Sequence, residues 1–323
     1  MNNQKKIKKS VVLLGYSCNN KCIFCTFGHK GRDTFEPWLE VKRKIYQEKK
    51  NGSTYLELIG GEPTIYPAYI ELVRYAKELK YNNIVSATNG RAIAYLDYAR
   101  KLVEAGITEL IFSIHGHEAW LHDKQTQVPG SFKQLIKGIK NLKKIGFKNI
   151  STNTTINTVN YKYLKNIGKF ILNLGIVNSE FIFIDPNHWS KRENVKKMVP
   201  RISEAAFYMQ DLLKLVKGKK EYSWRVRYVP LCFFTDFIEY ISELRERTYF
   251  KSRHIAPDFI NIDVESSRPI FGRAKGDQCK KCVINKWCEG LWNKYIETYG
   301  TSELKRINEI PQGLERYNKL KAS

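Results

Sequence analysis

Apolar positions in the first 185 residues alternate between two patterns. Short apolar runs recur at Val11–Gly15, Thr54–Ile59, Asn83–Ala87, Glu109–Ile114, Asn149–Thr155 and Glu180–Ile184. Between them lie amphipathic stretches of helical spacing around residues 36–50, 67–80, 92–105, 132–145 and 160–174. Six strands separated by helices predict βαβ units and a parallel sheet. Six units are fewer than the eight of a closed barrel. The pattern therefore predicts an α/β fold, a partial (β/α)6 barrel of TIM type, over residues 8–186. Residues 187–220 read as a polar helical bridge. Residues 221–323 change character, with short β-like runs such as Ser223–Val229 and helical pieces, and read as a second, smaller domain.

A parallel sheet of this kind places chemistry at the carboxyl ends of its strands. The unusual residue groups fall there. Cys18–Cys25 follows the first strand, Gly60-Gly61-Glu62-Pro63 the second and Thr88-Asn89-Gly90 the third. Ser113-Ile114-His115-Gly116 closes the fourth, Thr155-Ile156-Asn157 the fifth and Asp185-Pro186 the sixth. One active site at the strand ends is the expectation.

Composition narrows the class. Hydrophobic residues at 42% and charged residues at 27% describe a globular chain, which excludes a disordered one. No apolar stretch is long enough to span a membrane, and the run Val11–Leu14 leads directly into a cysteine motif, so it reads as a strand and the expected location is cytoplasmic. The net charge of +23 would suit an acidic partner such as a peptide or a nucleic acid, but the lysines are spread along the chain and do not choose one.

Seven cysteines stand at 18, 22, 25, 232, 279, 282 and 288. An odd number, three near one end and four near the other, is a metal-ligand count and not a disulfide framework. Cys18, Cys22 and Cys25 are spaced C-x3-C-x2-C. Three thiolates on one loop can hold three corners of a cubane cluster and leave its fourth iron open. Zinc is the alternative, for which His29 would be the nearest candidate fourth ligand.

That spacing, with Phe24 before the third cysteine and Gly60-Gly61-Glu62-Pro63 after the next strand, resembles the radical S-adenosylmethionine superfamily. The resemblance implies that Cys18, Cys22 and Cys25 hold a 4Fe–4S cluster whose open iron is chelated by the methionine part of S-adenosylmethionine. Reductive cleavage then gives a 5′-deoxyadenosyl radical that takes hydrogen from substrate. It implies an electron donor of flavodoxin or ferredoxin type. It also implies cofactor contacts: Phe24 by its backbone to adenine, Gly60 and Gly61 by close approach, Glu62 to the ammonium with Pro63 stiffening the turn. Asn89 and Ser113 would meet the carboxylate and ribose, and Thr155, Ile156 and Asn157 would lie near ribose and adenine. His115, His117, His122 and Asp123 read as a loop-ordering segment, with His115 the member facing cofactor or substrate. Ser131 is a candidate helix N-cap.

Cys279-x2-Cys282-x5-Cys288 resembles part of the cysteine pattern of SPASM and twitch domains, which bind auxiliary 4Fe–4S clusters. Trp292 stands where a further cysteine would continue it. The resemblance implies one auxiliary cluster with Cys232 as fourth ligand. The competing role for Cys232 is a free thiol donating hydrogen to a substrate radical. Together these readings imply an enzyme acting on a ribosomally made peptide, the alternatives being a small metabolite or cofactor precursor, or a nucleic acid.

Overall fold

The computed structural model describes residues 6–31 and 33–317. In chain order the elements are β1 (Ile7–Leu13), α1 (Trp38–Lys50), β2 (Tyr55–Ile59), α2 (Tyr69–Glu78), β3 (Asn83–Thr88), α3 (Leu96–Ala105), β4 (Glu109–Ser113), α4 (Ala119–Thr126), α5 (Ser131–Lys144), β5 (Ile150–Ile156), α6 (Leu164–Asn173) and β6 (Asn178–Phe183). They continue with α7 (Arg192–Met198), α8 (Ile202–Leu213), β7 (Ser223–Arg227), α9 (Ser242–Tyr249), β8 (Phe250–Ile255), β9 (Ile260–Asn261), α10 (Val264–Phe271), β10 (Arg273–Ala274), β11 (Leu291–Trp292) and α11 (Asn293–Tyr299). The fold is α/β, of the partial TIM type that the periodicity predicts. None of the described helices is long and apolar enough to cross a membrane.

Two compact units divide the chain. The first runs to Asn153 and includes Phe250–Val264; the second holds Thr154–Tyr249 and the residues from Glu265 onward. The division falls inside β5.

In the first unit the strand order is β5-β4-β3-β2-β1-β8-β9. All pairs are parallel except β8 with β9. Burial explains the pattern. Val11, Val12 and Leu13 of β1 and Leu56 and Leu58 of β2 are at most 3% exposed, and β-branched and aliphatic side chains suit a sheet covered by helices. Each helix buries one stripe: Leu72, Val73 and Ala76 on α2; Leu135, Gly138, Ile139 and Leu142 on α5. Burying one such leucine or isoleucine stabilises by roughly 2 kcal/mol. Gly138 matters for closeness, since a Cβ there would stand 2.7 Å from the Gly90 carbonyl oxygen. That contact seats α5 on the loop after β3.

β8 is the addition the pattern misses. It pairs along β1 from Ile7↔Phe250 to Val12↔Ile255. Its sequence, Phe-Lys-Ser-Arg-His-Ile, buries only Ser252 and Ile255, so it carries little periodic signal.

In the second unit β6 and β7 pair in parallel, Asn178↔Ser223 to Ile182↔Arg227. The run read as a short β piece, Ser223–Val229, is therefore a strand of the same kind as the first six. Trp224 on β7 and Gly168 on α6 explain their packing: a Cβ at Gly168 would meet Leu212 Cδ1 at 2.4 Å and the Trp224 ring at 3.1 Å. β10 and β11 form a short antiparallel pair, Arg273↔Trp292 and Ala274↔Leu291.

Candidate active site and second thiol site

Backbone hydrogen bonds fix the Cys18–Cys25 loop on both sides. The Lys21 and Ile23 amides donate to the carbonyls of Thr126 and Gln125 at the end of α4, each at 2.9 Å. Just before the loop, the Gly61 and Glu62 amides donate to the carbonyls of Gly15 (3.0 Å) and Ser17 (2.8 Å). These bonds require bare backbone. A Cβ on Gly61 would lie 2.0 Å from the Ser17 oxygen, and one on Gly60, at φ +143°, 2.5 Å from the Gly15 oxygen. The close approach for which the glycine pair is needed includes this one, between the loops after β1 and β2.

Glu62 is 2% exposed. Its Oε1 accepts from the Thr64 amide (3.1 Å), the Thr64 hydroxyl (2.5 Å) and the Thr88 hydroxyl (2.6 Å). Its Oε2 accepts from the Asn89 amide at 2.6 Å. Burial raises the Glu62 carboxyl above the usual range, against the opposing pull of these donors. The carboxylate thus ties the β2 loop to the β3 loop. Oε2 carries a single donor, so an acceptor direction remains for an ammonium group. That donor set fits the amine expected there. Pro63 is buried and opens a single 3₁₀ turn, for which the Glu62 side chain is the cap.

Asn89 reaches the cysteine loop directly, its Nδ2 donating to Asn19 Oδ1 at 2.6 Å. Arg91, which the sequence reading misses, adds a clamp. Its Nη1 donates to the Asn19 carbonyl and, at 3.0 Å, to Asn20 Oδ1, while its Nε donates to Gln134 of α5 at 2.6 Å. The Asn20 amide in turn donates to Cys18 Sγ at 3.4 Å, the amide-to-sulfur contact that tunes a thiolate ligand.

Phe24 is 8% exposed and meets His115 edge to face at 4.6 Å between ring centres. Burial, reinforced by His122, holds the His115 imidazole well below its usual pKa, so it is neutral at pH 7. His122 Nδ1 accepts from the His115 amide at 3.2 Å, and Gln125 Nε2 donates to the His115 carbonyl at 2.7 Å. The segment after β4 therefore orders itself as expected. Ser131 is a different matter: it is the first residue of α5, and the cap comes from Asp123, whose Oδ1 accepts from the Ser131 hydroxyl (2.7 Å) and the Phe132 amide (2.8 Å). Ser113 ends β4 opposite Asn153.

Thr155, Ile156 and Asn157 belong to the second unit. Asn157 is fully buried and its Oδ1 accepts from the Val159 amide at 2.9 Å, the geometry of a turn.

The second unit holds Cys232, Cys279, Cys282 and Cys288, although among the described residues no group of three or more His, Cys, Asp or Glu is placed to hold a metal ion. Burial, the larger cause, and the three neighbouring thiols push the Cys232 thiol up to about 12, opposed by the Lys305 amide. Backbone amides meet two of these sulfurs by hydrogen bond and act to lower the thiol pKa of the other two. Leu231 and Gly290 donate to Cys288 Sγ and Ile307 to Cys282 Sγ, each at 3.4 Å; Gly276 serves Cys279 and Lys305 serves Cys232.

Residues 12–171 match the model of the Radical SAM superfamily. The chain is a radical SAM superfamily member. Enzymes of this family use a 4Fe–4S cluster and S-adenosylmethionine. Among its relatives, a probable GTP 3′,8-cyclase of Saccharolobus solfataricus is 25% identical over 265 residues, 80% of this chain and 75% of the relative. An AdoMet-dependent heme synthase of Oleidesulfovibrio alaskensis is 34% identical over 165 residues, 49% of this chain and 41% of the relative. Among solved structures, Streptococcus suis SuiB bound to precursor peptide SuiA has a TM-score of 0.64 at 17% identity, covering 96% of this chain and 77% of that one. Native anSMEcpe with bound AdoMet and Cp18Cys peptide has a TM-score of 0.63 at 14% identity, covering 93% of each chain. The likeness in fold thus extends through the C-terminal region that resembles SPASM and twitch domains.

Proposed function

We propose that this radical SAM enzyme cleaves S-adenosylmethionine at a cluster held by Cys18, Cys22 and Cys25, and that it modifies a peptide. One observation carries the first part: the first unit has three cysteines, all on one loop that neighbouring strand-end loops grip by backbone and side chain. Three thiolates leave a cubane iron open. When bound, the cluster and cofactor supply reductive cleavage of the sulfonium and the 5′-deoxyadenosyl radical. The chain orients them. Phe24 and the strand-end groups Asn89, Ser113, Thr155, Ile156 and Asn157 are the proposed cofactor contacts, and Glu62 Oε2 is the proposed acceptor for the ammonium. His115, neutral and packed on Phe24, can offer a hydrogen bond there without adding charge. Reducing equivalents come from a small flavodoxin or ferredoxin.

Cys232, Cys279, Cys282 and Cys288 form the proposed site of one auxiliary 4Fe–4S cluster. The electrostatic influence of Cys288, Cys279 and Cys282 on the Cys232 thiol supports Cys232 as its fourth ligand over a free hydrogen donor. A cluster with four thiolates has no vacant iron with which to bind substrate.

Fold likeness to SuiB and anSMEcpe, each solved with a peptide, supports the peptide reading. A nucleotide is the second reading, supported by the 25% identity to the probable GTP 3′,8-cyclase over most of both chains. Reduced enzyme with S-adenosylmethionine is expected to release 5′-deoxyadenosine slowly, and faster with a precursor peptide encoded beside its gene. Stimulation by GTP instead, with a cyclised nucleotide formed, overturns the peptide reading in favour of the second.

A further inference from the structure

Buried arginines and carboxylates crowd together in the second unit, around the carboxyl ends of β6 and β7. Two of the arginines hydrogen-bond to carboxylates, although Arg227 Nε is itself buried without a hydrogen-bond partner. Arg268 Nε and Nη2 donate side-on to both oxygens of Glu289 at 2.8 and 2.9 Å, and its Nη1 reaches Glu246 at 3.2 Å. Arg227 Nη2 pairs with Glu246 at 2.5 Å and Glu180 at 2.9 Å.

Arg273 differs from both in having no hydrogen bond to a carboxylate. Its side chain is 1% exposed, yet Nε and Nη2, the same side-on edge that Arg268 gives to Glu289, have no hydrogen-bond partner. The nearest carboxylate, Glu243 Oε1, stands 3.8 Å from Nη2 and is already engaged by the Tyr228 amide. Glu243 Oε2 and Trp292 Nε1 are also without partners. Orphaned polar atoms this concentrated are uncommon in a folded interior, where an unpaired buried donor costs about 1–3 kcal/mol and one attached to a charge costs more.

The guanidinium is held ready for a ligand. Its plane lies over the Trp292 ring at 3.7 Å and beside the Tyr228 ring at 4.9 Å. Its Nη1 rests at 3.5 Å from the carbonyls of Tyr228 and Gly290. Tyr228 itself has φ +66°, a conformation costly for an aromatic residue and characteristic of functional sites. Asp185, at the end of β6, faces the same guanidinium electrostatically.

We propose that the Nε/Nη2 edge of Arg273 is a binding site for one oxyanion of the substrate, seated side-on as Glu289 is on Arg268. Its two parallel donors suit a carboxylate of a peptide or a phosphate of a nucleotide. Glu243 gives way when the anion enters. Binding itself needs no turnover; only the identity of the anion's bearer rests on the function proposed above.

Anaerobically reconstituted enzyme is titrated with N-acetylglutamate and, separately, with inorganic pyrophosphate, reading tryptophan fluorescence and heat. One probe is expected to bind saturably, and Arg273→Lys is expected to weaken it by roughly tenfold or more, because a single ammonium cannot supply the fork. Glu243→Gln, which removes the internal competitor, is expected to tighten it. N-acetylglutamate as the ligand points to a peptide, pyrophosphate to a nucleotide. Equal titrations in the wild type and a folded Arg273→Lys enzyme overturn the proposal, as does saturation by neither probe. So does a changed spin-resonance spectrum of the auxiliary cluster in Arg273→Lys without any probe, which would assign the edge to the cluster. Failure to release 5′-deoxyadenosine would sink the proposed function while leaving these titrations readable.

Discussion

The two thiol groups are held in opposite ways. Cys18, Cys22 and Cys25 share one short loop, gripped from outside by Arg91, Asn89 and the Gly60–Glu62 turn. Cys232 comes from a segment far in sequence from Cys279, Cys282 and Cys288, and backbone amides donate to Cys288 and Cys282. As proposed, the first arrangement would leave a cluster corner open to strand-end side chains. The second, with four thiols, would close its cluster. Chain economy follows function: a reactive iron needs few ligands and a crowded polar wall, whereas a closed centre needs all its ligands and little else.

The largest effect expected is from Cys22→Ala. Removing one of three ligands should abolish 5′-deoxyadenosine formation while the second centre keeps its iron, measured by iron analysis and product release. Cys232→Ala should instead lower the iron content from about eight to about four per chain, since a four-thiolate site loses its cluster. Persistence of the full complement in that variant would return Cys232 to the role of hydrogen donor.

Gly61→Ala tests the grip itself. A methyl 2.0 Å from the Ser17 oxygen must displace backbone, and a cost of about 3 kcal/mol or more is expected in denaturant melts, with cluster loading impaired. Gly138→Ala acts one layer further out, against the Gly90 carbonyl, and should cost about 1–3 kcal/mol.

Acid should loosen the first unit in a defined window. Burial, against the pull of Asp123, lowers His122 to about 4, from an ordinary value of 6.5. Below pH 6.5 the unfolded chain takes up a proton that the native imidazole refuses, so stability falls as the pH drops from 6.5 toward 4. His122→Gln should flatten that slope. The smallest effect belongs to Asp123→Ala, which removes the cap of α5 and should cost about 1 kcal/mol in thermal melts.

Much of the barrel is legible in the chain, because each of its first six strands is an apolar run beside a strongly amphipathic helix. β8 is not. Its partner β1 is far away in sequence, and its exposed lysine and half-buried arginine and histidine break the alternation. The division within β5 leaves no mark either, since one continuous strand serves both units. The cysteine loop and the Gly-Gly-Glu-Pro turn announce themselves by spacing. Arg91 does not, because its role arises only when the loops after β1 and β3 come together. Tyr228 and Arg273 are equally silent: one is special by its φ angle, the other by the partners it lacks.

Electron paramagnetic resonance of the reduced wild-type enzyme, recorded with and without S-adenosylmethionine, tests the contrast between an open and a closed centre most directly. The account predicts that one component of the signal shifts when the cofactor is added and the other stays fixed. A spectrum in which no component moves would contradict it.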